Sequence, residues 1–425
     1  MAAMANNMAV EDKSLREIVR VDLLRTLFNY YKKYPELIEP LVNSLPSSNR
    51  CEANNANNLT KKSCIITEYY VPFPKTYVNL NHVRSLTNGI IIAKGTYGIQ
   101  SKHTQLLKNV PTNILTKIPL EFNEEIIKEL FLQMVLLNPI AQMLSNFKLN
   151  YANIVQSYGF FACNAVPSIY GKKYCDPTAI GQPYLFLMQE YIDGNNFITL
   201  HKLLKEYRVS KEFIIHLLFK LYRTLEALQI GEYHITHSDL HCGNILINPA
   251  DGTLYILDWG HTSFTYLGVR YENMLEKEYK RPGDPTIISG LYDLFLILDD
   301  IADASRMNRN NLELSTSIDA LKVQFFRHIF GHNFIYTPNE YWLYRILGNL
   351  ERRGQYPDIA NHARNIGIIN TYTWTQLSST FFANIFFQPL WGELLAQPAV
   401  PPPPVRGGKK RITKKQTRKR KHARK

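Results

Sequence analysis

Apolar residues change their spacing several times along this 425-residue chain, and each change marks an element. In "SLREIVRVDLLRTLFNYYKKYPELIEPLVNSL", Leu15, Ile18, Val19, Leu23 and Phe28 recur at roughly helical intervals, and Ser14 with Glu17 three residues on forms a capping signal. The pattern predicts an N-terminal helical extension. It lapses in the polar, asparagine-rich stretch from Pro46 to Ser63, which reads as a mobile loop. In "GIIIAKGTYGIQS", Ile90, Ile91 and Ile92 lead into Gly95 and Gly98, a strand–turn–strand signal, and "NILTKIPL" follows as a short strand. Helical spacing returns in "EFNEEIIKELFLQMVLLNP", with Ile126, Ile127, Leu130, Met134 and Leu137 on one face and Asn138-Pro139 as the stop. Two more strands, "YANIVQSYGFF" and "YLFLMQEYIDG", precede "KEFIIHLLFKLYRTLEALQ", whose Ile214, Leu217, Leu218, Leu221, Leu225 and Leu228 share a helical face. "SGLYDLFLILDDIA" predicts another buried helix, and aromatic-rich segments run on to "FFANIFFQPLW". The mixture is α+β.

Between the last two helices lies "HITHSDLHCGNILINPADGTLYILDWGHTSF". Its runs "NILIN" and "TLYILD" are short and β-prone, and Asp251-Gly252 between them is a hairpin turn signal. With the turn centred near residue 251, position 247 faces 255 and position 244 faces 258. Asn244 and Asp258 then lie side by side, their Cβ atoms about 5 Å apart. Asp239, five residues before Asn244, faces the same space from the entering loop. A carboxylate, a carboxamide and a second carboxylate suit Mg²⁺ together with a proton-accepting base. The plainer alternative is a hairpin whose Asn and Asp satisfy each other.

"HSDLHCGN" followed by a hairpin and "DWG" resembles the HxDxxxxN and DxG motifs of the protein-kinase-like superfamily. The resemblance implies that Asp239 accepts or orients a hydroxyl proton, that Asn244 and Asp258 hold Mg²⁺, and that ATP is the phosphoryl donor. Upstream segments follow in the family's order. Gly95 and Gly98 resemble the loop over the ATP phosphates, with Ala93 in place of the first glycine, although a plain hairpin turn reads equally well. Lys117 matches the strand lysine that contacts the phosphates, and its helix partner is Glu129, with Glu125 one turn earlier as second choice. Met188 would back the adenine, and the main chain from Glu190 to Ile192 would hydrogen-bond it. Asp293 resembles the aspartate that opens the corresponding helix in aminoglycoside phosphotransferases. Three departures bear on the acceptor. Ser238 replaces an arginine that in many protein kinases binds an activating phosphate, and His241 stands where a lysine is usual. The 35 residues from Asp258 to Asp293 leave room for a peptide-docking segment, yet no APE motif closes them.

The resemblance therefore implies a bilobal protein-kinase-like fold, with a small β-rich N-lobe over about residues 85–190 and a larger helical C-lobe over about 191–395. The helical extension and Asn-rich loop occupy residues 1–84, and a proline-rich linker with a disordered basic tail occupies 396–425. The implied activity is ATP-dependent phosphotransfer to Ser/Thr hydroxyls of proteins. The alternatives are a small-molecule kinase of the aminoglycoside or choline type and a nucleotide-binding pseudokinase scaffold.

Composition narrows the setting. At 45% hydrophobic and 20% charged residues the chain reads as a soluble globular protein, with neither a signal peptide nor a membrane span apparent. Five cysteines without a CxxC pair indicate neither a disulfide framework nor a zinc ribbon, and point to a reducing intracellular compartment. The net charge of +13 is concentrated: the last twenty residues hold twelve Lys/Arg and no acid, so the remainder is close to neutral. Four consecutive prolines, Pro401 to Pro404, precede this tail as an extended spacer. The charge run is suited to non-specific nucleic-acid binding or to reading as a nuclear import signal. A divergent kinase with an Asn-rich loop and such a tail resembles protein kinases of large nucleocytoplasmic DNA viruses, which implies host or virion protein substrates in host cytoplasm, nucleus or virion.

Overall fold

The computed structural model describes residues 20–21, 23–45, 90–94, 98–107, 110–146, 150–163, 182–229, 232–272 and 291–330. Gly95, the Asn-rich loop, the aromatic segments near residue 385 and the linker and tail lie outside these.

The extension forms two helices, α1 (residues 23–30) and α2 (Pro35–Asn43). Its buried line runs through Leu23, Leu27 and Tyr31 and continues through Leu37, Ile38, Leu41 and Val42. Phe28, expected on the apolar face, is turned outward at 42% exposure, because the four-residue step selects Leu27 in its place.

Five antiparallel strands follow in the order β1-β2-β3-β6-β5. β1 (Ile90–Lys94) is an edge strand whose three isoleucines are all exposed, and a bulge between Ile91 and Ala93 shifts its register on β2 (Gly98–Leu107). β2 pairs with β3 (Val110–Pro119) over ten residues, from Gly98↔Pro119 to Leu107↔Val110. α3 (Glu125–Phe131) then passes through a π-helical segment, Leu132–Leu137, into α4 (Asn138–Ser145). The expected stop at Asn138-Pro139 does not occur. Proline lacks an N–H and its ring crowds the carbonyl one turn back, and the wide π turn just before Pro139 accommodates both. The Asn138 side chain completes the join, donating to Ser157 O at 2.7 Å and accepting from Ser157 N at 2.9 Å, which ties the helix to β5 (Ser157–Cys163). By length and composition Glu125–Ser145 could cross a membrane, but 67% of its apolar window is buried and Glu129 and Gln133 point inward, as in a core helix.

A second sheet has the order β4-β9-β8-β7, with β4 (Asn153–Ile154) parallel to β9 (Leu254–Ile256) and β8 (Ile245–Ile247) antiparallel to both β9 and β7 (Ile198–Thr199). Of its strands β4 precedes β6 (Tyr184–Glu190) and the other three follow it; α5 (Leu200–Glu206), capped by Thr199, packs on β7 and β8, and α6 (Lys211–Gln229) comes next in the chain. The six predicted apolar positions of α6 are all buried to 2% exposure or less. β10 (Phe264–Tyr266) and β11 (Val269–Tyr271) form a separate hairpin, and α7 (Leu291–Arg306) and α8 (Leu312–Phe330) complete the described chain. One continuous apolar core joins the extension, α3, α6 and α7. The described residues thus combine helices with largely antiparallel sheets.

Candidate active site

The β8–β9 hairpin carries a correction to the sequence reading. Its pairs are Ile245↔Ile256, Leu246↔Tyr255 and Ile247↔Leu254, one residue out of the symmetric expectation. The loop has four residues, 249–252, closed by Asn248 N to Thr253 O at 2.8 Å and Gly252 N to Asn248 O at 2.9 Å. Gly252, at φ +67°, supplies the left-handed position of that longer loop and is not half of a two-residue turn. Asn244 therefore faces Leu257, whose N–H donates to Asn244 O at 2.9 Å. A slip of one residue alone would send Asp258 to the opposite face. The strand instead ends at Ile256, and Asp258 takes φ 52°, ψ 76°, a left-handed conformation that re-aims its side chain. Among the described residues four non-glycines have positive φ, and His234, Ser238 and Asp258 of these belong to this one region, which concentrates backbone strain there.

Re-aimed in this way, Asp258 Oδ1 lies 3.2 Å from Lys117 Nζ, while Glu129 Oε1 lies 2.7 Å from the same nitrogen. β3, α3 and the turn after β9 thus deliver one ammonium and two carboxylates to a point. Burial works to lower the Lys117 pKa, but Glu129 and Asp258 outweigh it and hold the ammonium above its ordinary value. Burial likewise works to raise the Asp258 carboxyl, and Lys117 overcomes this to hold it below the usual range. The bare backbone of Gly260 covers the triplet: a Cβ there would lie 3.5 Å from Asp258 Oδ1 and 3.6 Å from both Glu129 Oε2 and Lys117 Nζ. Of the two candidate partners, Glu129 is the one that meets Lys117. Glu125 is engaged by Tyr34, Lys33 and Lys128. Gln133, which sequence reasoning passed over, fixes Glu129 from the next turn by donating to Oε1 at 3.1 Å. Its own oxygen accepts from Ser157 and from Gln189 of β6. A glutamine four residues after the glutamate, on the same helical face, was the available signal.

Loop 236–244 presents the remaining groups. Asn244 Nδ2 donates to Asp239 O at 2.9 Å and lies 3.4 Å from Asp239 Oδ2, which leaves the carboxamide oxygen for a cation. The Asp239 side chain is 42% exposed and that of Asp258 43%, so both open to solvent. His241 Nδ1 accepts from Gly243 N at 3.0 Å, and its Nε2 lies 3.9 Å from Asp239 Oδ2. The loop is held from behind by acceptors on α7: Asp293 takes the N–H of His237 and of Ser238, both at 2.7 Å, and Asp300 takes that of Cys242 at 2.6 Å. His237, fully buried, links loop to turn. Its Nδ1 accepts from Asp239 N at 3.3 Å and its Nε2 meets Leu257 O at 2.7 Å. A backbone pair between Thr236 and Ser263 closes the far side.

Among the described residues no three His, Cys, Asp or Glu side chains gather to hold a metal by themselves. One carboxylate and one carboxamide nevertheless fit Mg²⁺, which takes few protein oxygens and fills its shell from phosphates and water. On the nucleotide side, Gly98 is demanded by packing, since a Cβ there would approach Ile118 O to 2.9 Å. Met188 is fully buried, between Thr116 of β3 and Gly159 of β5. The Glu190 N–H already donates to Gln156 O at 2.8 Å, so of the segment Glu190 to Ile192 that donor is engaged within the protein. Lys102 of β2 lies 4.3 Å over the Tyr191 ring at the same edge.

Comparison with known proteins bears on the middle of the chain. No curated protein matches the sequence. Residues 166–275, which run through β6, α5, α6, the loop with Asp239 and Asn244, the turn with Asp258 and the β10–β11 hairpin, match the family model of the ABC1 atypical kinase-like domain. Lys117 and Glu129 lie upstream of the matched segment and meet it through Asp258. Over residues 166–275 the chain is thus similar to the ABC1 atypical kinase-like domain of the protein-kinase-like superfamily.

Proposed function

We propose that this protein is an ATP-dependent phosphotransferase that moves a γ-phosphoryl group to a hydroxyl, with Ser/Thr of proteins as the acceptor. One observation carries the reading: Lys117 is held at once by Glu129 of α3 and by Asp258 of the turn, beside a loop that presents Asp239 and Asn244. Bound Mg-ATP would supply the transferable phosphoryl group and the divalent charge. Asp258 and the Asn244 oxygen would hold the Mg²⁺, and Lys117 would pair with phosphate oxygens while Glu129 keeps it in place. Asp239 would accept or orient the acceptor's hydroxyl proton as that oxygen bonds to phosphorus and the bond to the departing ADP oxygen breaks. Such transition states ask chiefly for positioning and charge neutralisation, for which these five groups suffice. A two-lobed arrangement, with the five-stranded sheet on one side of the nucleotide and α6 to α8 on the other, is part of the reading.

A small-molecule hydroxyl is the second reading, favoured by Ser238 in place of a phosphate-binding arginine. Incubation with labelled ATP and either a protein mixture or a panel of small hydroxyl compounds separates the two. Asp239→Asn is expected to spare nucleotide binding and lower turnover by about 10²-fold or more, the scale of general-base catalysis. Asp258→Asn is expected to weaken Mg-ATP affinity. Undiminished turnover in the Asp239 variant removes that residue from the chemistry.

A further inference from the structure

The N-terminal extension takes no part in the site just described, yet it is bonded to α3, which carries Glu129, and to the β10–β11 hairpin, which follows Asp258 in the chain. On one side, Lys33 N donates to Glu124 Oε2 at 2.6 Å, and Tyr34 Oη reaches the Glu125 oxygens at 3.1 and 3.0 Å. The Lys33 ammonium also pairs with Glu125. These two acids stand at the first turn of α3, and Glu125 and Glu129 are one turn apart along it. On another side, Tyr271 of β11 donates to Glu36 Oε1 at 2.8 Å, and its ring meets that of Tyr34 edge-on at 5.9 Å. The third side joins α3 to the hairpin: Phe131 stacks on Phe264 at 5.8 Å and meets Tyr266 at 4.7 Å, Phe264 stacks on Tyr271 at 5.0 Å, and Lys128 donates to Glu272 O at 3.0 Å.

We propose that Tyr34 and Glu36 are positioning residues, which hold α3 and the β10–β11 hairpin at a set spacing and thereby fix Glu129 and Asp258 around Lys117. The inference rests on the phosphotransfer reading above. Three elements bonded pairwise form a closed triangle, and a triangle cannot change shape without breaking a side. Glu129 projects from one of its members, and Asp258 lies six residues before another. Without the extension, α3 and the hairpin would be joined, among the described residues, along their shared aromatic edge and the neighbouring Lys128–Glu272 hydrogen bond, a single seam about which they could pivot. Burial, and then the neighbouring carboxylates, push the Tyr34 and Tyr271 phenols upward, so each remains a proton donor. Tyr31 adds a further anchor, donating to Pro183 O at 2.6 Å just before β6.

The test uses the full-length protein with Glu36→Gln and Tyr271→Phe, singly and together. Each change weakens one charge-assisted hydrogen bond and leaves packing volume almost unchanged. Each single variant is expected to lose about tenfold in kcat, with no further loss in the double variant because both act on one contact. Acceptor KM and the thermal midpoint are expected to stay near wild type, and amide hydrogen exchange is expected to quicken in α3 and in β10–β11. Unchanged kcat in an active protein overturns the proposal, as do additive losses, or a fall in kcat matched by faster exchange throughout the chain. Should the wild type phosphorylate no acceptor, the phosphotransfer reading fails and exchange alone decides. Quickening confined to those two elements then supports the strap, and unaltered exchange overturns it.

Discussion

Buried His237 is held as a single tautomer by what surrounds it. The Asp239 N–H requires Nδ1 to be an acceptor, so the proton sits on Nε2 and is donated to Leu257 O. A second proton would aim an N–H at an N–H. Burial, only partly countered by the Leu257 carbonyl, Asp239 and Asp258, keeps the ring's pKa below its ordinary value. The sign follows: below about pH 6.5 the unfolded chain takes up a proton that the folded one refuses, so this contribution is complete above that pH and is lost as pH falls from there. Thermal stability is expected to rise between about pH 5 and about pH 7, with His237 giving at most about 1.4 kcal/mol per pH unit, and His237→Gln should flatten that slope. An equal slope in the variant would assign the dependence to other groups. That Lys117 and Glu129 would meet was legible in the sequence, but the geometry around them was less so. Asn244 and Asp258 were paired across a symmetric hairpin that does not exist: the register sets Asn244 opposite Leu257, and Asp258, at positive φ, is aimed at Lys117. Side-chain alternation carries no sign of a backbone conformation that ordinary residues avoid.

At the scale of elements, α7 does more than fill the core. Asp293 and Asp300, seven residues apart and so on one face, accept three backbone N–H groups of loop 237–242, which a loop with positive-φ residues could not satisfy within itself. Asp293→Ala would strand two of them in a fully buried place, at a cost of about 2–5 kcal/mol, whereas Asp293→Asn keeps one acceptor and should cost less. Denaturant unfolding of both variants checks the order, and equal losses would show that water takes the acceptor's place. Hydrophobic spacing foresaw α6 at every position named and foresaw α7 as a buried helix. It could not foresee the continuation through Pro139, because the compensation for the missing donor comes from a π turn and from Asn138 bonding to β5, neither of which leaves a periodic trace.

For the molecule as a whole, charge divides unevenly between body and tail. Twelve of the forty-nine Lys/Arg lie in the final twenty residues, against thirty-six acids elsewhere, so any long-range attraction to polyanions is expected from that segment. Removing residues 406–425 is expected to leave ATP turnover on a small acceptor nearly unchanged and to abolish low-salt retention on DNA. The intact protein should lose log affinity at about −0.9 per phosphate neutralised as log salt rises, and equal binding by the truncated form would place the surface on the folded body. The ionic triplet has a different kind of reach. Lys117 and Asp258 are 141 residues apart in the chain, and Glu129 arrives with a third element. Closing so long a loop carries an entropic cost, and no fragment shorter than residues 117–258 can hold the triplet. On the proposed reading, a chain synthesised or opened short of that span therefore lacks the contacts by which it would hold a nucleotide.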